Sequence, residues 1–130
     1  MEIGSLRVLA EVPDTEEAFY RGLGGRESLP EDRGMLFVFD QEREYGFWMK
    51  DVPFPIDIIW ISRDMRVAGI ATAQPEGAVP DDQLTIYRPD SPALYVVEVA
   101  AGLAERHGLR LGDPVRLQVP ESLPVWSPGE

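Results

Sequence analysis

Two apolar runs separated by a proline-bracketed turn, in the stretch Phe47 to Ser62 (FWMKDVPFPIDIIWIS), constrain the fold more than any other part of the chain. Phe47 to Lys50 and Ile56 to Ile61 are aromatic and β-branched and too short for typical buried helices, so both predict strands. Asp51-Val52-Pro53-Phe54-Pro55 lies between them. Its two prolines lack amide donors and push the preceding residues towards extended or turn geometry, so strand pairing must break there. The expectation is a hairpin with an irregular turn. Trp48 and Lys50 share one face of its first strand, while Asp57 shares a face of the second with Ile59 and Ile61. One register brings Lys50 and Asp57 to the same face of the sheet and a slip of one residue separates them; the five-residue connection leaves both open.

The rest of the chain supplies partners for this pair. Ser5 to Val12 alternates Leu6, Val8, Ala10 and Val12 with polar residues and predicts a half-buried strand. A helix follows, with Asp14 and Glu17 spaced as in a capping box, Phe19 and Leu23 on one face, and Gly22, Gly24 and Gly25 ending it. Gly34 to Phe39 is a continuous apolar run that suits a central strand buried on both faces. Arg63-Asp64 predicts a tight turn into a strand over Arg66 to Ala73, in which Gly69 marks a bulge or a close backbone approach. Gln74 to Gln83 predicts the longest loop, and Leu84 to Tyr87 a short strand at most. Leu94 to Ala100 is a strong strand pattern, with Glu98 on the face of Leu94 and Val96 where an apolar residue is expected. A short helix over Ala101 to His107, a strand over Pro114 to Val119 and a proline-rich, loosely held tail complete the chain.

Short strands with two short helices predict an α+β fold, built as a strongly curved, mainly antiparallel sheet or barrel. At 130 residues, with no shift in composition, the expectation is one β-rich domain over residues 1–119 and a tail over 120–130. A net charge of -11 leaves no basic stripe for phosphates, so nucleic acid is excluded as a partner, and an anionic membrane surface is disfavoured. No run reaches transmembrane length, so the chain as it stands is expected to be soluble and cytoplasmic, or exported if a leader precedes it. The absence of cysteine excludes disulfides, thiolate catalysis and Cys-ligated metals, and a single histidine excludes a His-rich site, so no cofactor or metal is expected. Eleven of the twelve basic residues are arginine, which singles out Lys50, because a compact ammonium is not interchangeable with a guanidinium fork.

The segments GLGGRESL, GMLFVF, FWMKDVPFPIDIIWIS, PALYVVEVAAG and GLRLGDPV, in this order and spacing, closely resemble the prokaryotic family catalogued as domain of unknown function 192. The resemblance runs from about Val8 to Leu117. It implies a compact β-rich α+β domain, often exported or membrane-associated in other members, with no established activity. The family pattern is matched at Arg26, Trp48, Met49, Lys50, Pro55, Asp57, Tyr87 and Glu98. The chain departs from it at Gly24, at Asp51 and Val52, and at the serine that usually follows the tyrosine.

A polar site built on Lys50, Asp57 and Glu98 is the sharpest functional expectation, set against a plain one in which Lys50 neutralises those carboxylates within the sheet. First in rank is a non-catalytic binding or accessory domain for a small polar or carbohydrate ligand, contacted by Trp48, Lys50, Asp57 and Glu98 with Arg26 and Tyr87. Convergence of these groups on a concave pocket is its mark. Second is a hydrolase-like enzyme using Asp57 and Glu98 as an acid and base pair, which needs both carboxylates open to one cleft. Third is a protein-interaction domain with an exposed apolar patch around Phe54 or Trp126. Trp48 and Trp60 as a flat-ligand platform, Arg21 and Arg26 as an anion site and His107 as a catalytic base rank below core packing, a helix-ending loop and a helix-end residue. The oligomeric state is left open.

Overall fold

A computed structural model describes residues 1–118 and 124–127. The three most continuous apolar runs become the strands buried on both faces: β4 (Arg33–Arg43), β5 (Ile56–Ile61) and β7 (Ala93–Ala100). With β3 (Leu9–Glu11) and β6 (Val67–Ala73) they form a five-stranded sheet in the order β3-β4-β7-β5-β6. β3 runs parallel to β4 and every other pair is antiparallel. A second sheet, β2-β1-β8, is made from β1 (Glu2–Ile3), β2 (Leu6–Arg7) and β8 (Val115–Arg116). The fold is therefore mainly β with two short helices, α1 (Glu16–Arg21) and α2 (Leu103–Arg106), in one compact domain. Among the described residues the sheets do not close into a barrel.

Strand alternation divides the core in two. Leu36, Val38, Ile59, Ile61, Val97 and Val99 point to one face, where Ile3, Leu6 and Val115 of the small sheet and Leu103 of α2 cover them. Met35, Phe37, Phe39, Ile58, Trp60 and Val96 point to the other, where Phe19 of α1 and the irregular segment from Tyr45 to Phe54 pack on them. This second face is aromatic. Phe19 meets Phe37 and Phe39 edge-on with centroids 5.5 and 5.7 Å apart, and Phe47 meets Phe37 at 5.1 Å.

Several expectations change in the structure. Phe47 to Lys50 is not a strand: Phe47 alone makes a backbone bridge, to Tyr87, and Met49 to Val52 forms a turn closed by the Val52 amide on the Met49 carbonyl. The predicted hairpin is replaced by one between β5 and β6, because six consecutive buried residues need a neighbour on both edges and two prolines deny the first run a ladder. Ser5 to Val12 alternates as expected but is shared between two sheets, with Val8 buried at the crossing. β4 is internal, while β7 holds the centre of the sheet. Thr15, rather than Asp14, caps α1 by accepting from the Ala18 amide. At Gly69 both expectations hold: the register shifts at that end of β6, and an added Cβ would stand 2.8 Å from Pro89.

The end of the predicted last strand and most of the expected tail, residues 119–123 and 128–130, lie outside the described residues. Within 124–127 the chain is held: Trp126 bridges Phe39 through the backbone and stacks on Phe19 at 4.8 Å. No helix among the described residues is long and apolar enough to cross a membrane.

Candidate functional site

Asp57 and Glu98 are the buried ionisable side chains among the described residues, and the register of β5 against β7 separates them. Asp57 is paired with Val99 and Glu98 with Ile58, so the two carboxyls leave opposite faces of the sheet. Each then meets a different environment.

Asp57 is sealed in, with no exposed surface, beneath the start of α2. It accepts from the Gly102 and Ala104 amides at 3.1 and 2.9 Å and from the Thr72 hydroxyl at 2.7 Å. A two-turn-or-shorter helix starting on a glycine has no side-chain cap of its own, and Asp57 supplies one from the neighbouring strand. Its role is structural.

Glu98, at 4 % exposure, sits across from Met35 in β4 and Ile58 in β5, and makes no hydrogen bond or ion pair with any described residue. Burial alone pushes its carboxyl up to about 8. What lies over it is a cavity of about 190 Å³ between α1, β4, β7 and the Tyr45 to Val52 segment. Phe19, Phe37, Phe39, Tyr45, Phe47 and Trp48, with Tyr20, give its wall an aromatic character. Gly22, at φ +55°, completes the wall beside the carboxyl: a Cβ there would lie 3.6 Å from Phe37 Cζ and 3.8 Å from Glu98 Oε1.

The remaining charges at this cavity are already partnered. Lys50 donates to Asp81 at 2.8 Å, which holds its ammonium above the ordinary lysine range, and it lies 5.6 Å from the centroid of the Trp48 ring. Arg21 pairs with Glu17 one helical turn away. The Tyr45 hydroxyl donates to the Gln41 carbonyl, and burial raises its pKa above the usual value.

Of the six residues expected to form a site, the structure thus brings Trp48, Lys50 and Glu98 to one cavity. Asp57 is on the far face. Tyr87 exchanges backbone hydrogen bonds with Phe47 and packs on the aromatic core, so it positions a wall residue without lining the cavity. Arg26 pairs with Glu11 beside a separate, more open hollow next to β3 and α1. Lys50 answers neither sheet carboxylate, so its expected role as their neutraliser is replaced by a surface pair with Asp81. The acid and base pair is ruled out in the same way, since Asp57 opens to no cleft and faces away from Glu98. Phe54 and Trp126, expected to centre an apolar patch, are partly buried against the core.

The aromatic wall was not read from the sequence. Phe37 and Phe39 alternate on one face of β4, and that spacing was available, but which face of β7 they meet depends on register. The arrangement offers one carboxyl that is a donor when protonated and an acceptor when ionised, in an apolar enclosure. Among the described residues no serine, threonine or cysteine lines the cavity, and no three histidine, aspartate or glutamate side chains gather to hold a metal.

The family described as "Uncharacterized ACR", domain of unknown function 192, matches residues 1–117. A crystal structure of a protein of unknown function from Novosphingobium aromaticivorans is similar, with TM-score 0.72 and 34 % identity over 85 % of this chain and 75 % of that one. A second, from Sinorhizobium meliloti and described as a candidate transcription regulator, has TM-score 0.71 and 30 % identity over 82 % of this chain and 79 % of its own. No curated protein matches the chain.

Proposed function

The chain belongs to the family of domain of unknown function 192, and from that premise we propose that it is a non-catalytic domain that binds one small ligand in the aromatic cavity over Glu98. The observation that carries this reading is the unpartnered carboxyl. Glu98 is buried as a residue but finds no hydrogen-bond partner among the described residues, and its carboxyl reaches the cavity, so a ligand bound there is the natural partner for it. The cavity is slightly larger than the roughly 150 Å³ space that accommodates benzene in an apolar core, which limits the ligand to a few heavy atoms beyond a single ring. A carbohydrate is disfavoured, because a sugar turns hydroxyls in every direction and the inner wall offers one buried polar side chain. The candidate-regulator description of the S. meliloti protein is not carried over as nucleic-acid binding, since a net charge of -11 repels phosphates.

A thermal-shift screen of small fragments against the wild type and Val52→Phe tests this. Val52 lines the cavity, and a larger ring there fills it. Fragments that raise the wild-type melting temperature and leave the variant unmoved support the site. A screen in which the same fragments shift both proteins equally places binding elsewhere and contradicts it.

A further inference from the structure

Resting on that reading, we infer that the ligand is a small organic cation, an alkyl- or quaternary ammonium, held by the Glu98 carboxylate and the aromatic rings around it. Four observations converge on this class. First, the one buried polar side chain of the cavity is acidic, and no described cation reaches it. Second, the walls are aromatic rings, whose faces carry partial negative charge and attract ammonium groups. Third, an ammonium already rests on one of these rings: Lys50 Nζ lies 5.6 Å from the Trp48 centroid at the rim. Fourth, the whole chain carries a charge of -11, a field that draws cations towards the surface and repels anions.

The charges facing Glu98 do not oppose this assignment. From α1 come Tyr20 and Arg21, the latter paired with Glu17; from the irregular segment come Tyr45, bonded to the Gln41 carbonyl, and Lys50, paired with Asp81. Met35, Phe37 and Phe39 of β4, Ile58 of β5 and Val96 of β7 present no charge. Each rim cation is thus matched by a carboxylate, and Glu98 is left as the unmatched charge when it ionises. Because burial keeps that carboxyl protonated up to about pH 8, a cation that binds below that pH must displace its proton.

Calorimetric titration of the full chain with choline and with its neutral isostere 3,3-dimethylbutan-1-ol, at about pH 6 and about pH 9, separates the possibilities through this proton linkage. The expected result is that choline binds with release of about one proton at pH 6 and almost none at pH 9, that its affinity falls about tenfold for each pH unit below 8, and that the alcohol shows no such rise with pH. Glu98→Gln is expected to weaken choline at least about tenfold at the higher pH and to spare the alcohol. The wild-type pH series stands without the variant. If the alcohol binds as tightly as choline at both pH values, the cavity is a ligand site and the cationic assignment is overturned. If neither probe binds at millimolar concentration, the cationic assignment is overturned, and the fragment screen against Val52→Phe decides separately whether the cavity is a site.

Discussion

Glu98 and Asp57 pose the same puzzle in sequence, a carboxylate in an apolar strand, and resolve it in opposite ways. Asp57 receives three donors and fixes the start of α2. Asp57→Ala should therefore destabilise the fold by about 2 to 4 kcal/mol, because it leaves two amides and a hydroxyl buried without an acceptor; chemical denaturation measures it. Glu98 receives none. Its folded pKa, about 8, stands above the usual 4.5, so between those values the native state holds a proton that the unfolded chain has released. The native state binds more protons there, and stability falls as pH rises through that window, by about 1.4 kcal/mol per unit. Glu98→Gln should remove this slope, so that its melting temperature matches wild type near pH 4.5 and exceeds it increasingly towards pH 8. Lys50→Met, which loses an exposed pair with Asp81 and a rim contact with the Trp48 ring, should move the denaturation midpoint by no more than about 1 kcal/mol of stability. Sequence showed that Glu98 was out of place. It did not show which of the two carboxylates was satisfied, since the donors to Asp57 are backbone amides that every residue carries.

Elements were legible where their signal was local. The apolar runs of β4, β5 and β7 and the tight turn before β6 follow from composition and periodicity. Partner choice did not, because it is decided by contacts between distant residues: β5 pairs with β6 and β7 instead of with the run just before it. That earlier run is bent by the turn at Met49 to Val52, in which Asp51 adopts φ +59°. Such a conformation disfavours a side chain, so Asp51→Gly should raise stability by up to about 1 kcal/mol, seen as a higher urea midpoint at unchanged slope. At the other edge of the hairpin, Gly69→Ala forces a methyl group against Pro89 at 2.8 Å and should lower stability by about 1 to 3 kcal/mol. A wild-type midpoint in Gly69→Ala would mean that the Pro89 loop yields freely.

Over the whole molecule, the two faces of the large sheet serve different ends. One is closed by the small sheet and α2 into an ordinary aliphatic core, fastened from within by Asp57. The other carries the aromatic residues, and α1 and the irregular segment cover it incompletely, leaving a cavity with a carboxyl at its floor. The fold class and the broad separation of strands, loops and helices were readable before the structure. The cavity was not, because it exists only where elements distant in sequence fail to close over one side chain. The central claim is that Glu98 is buried there without a partner, and following its carboxyl carbon by NMR across pH tests that directly. The account predicts a midpoint near 8 in the ligand-free protein; a midpoint near the ordinary 4.5 would show that water or a cation already satisfies the group, and would contradict it.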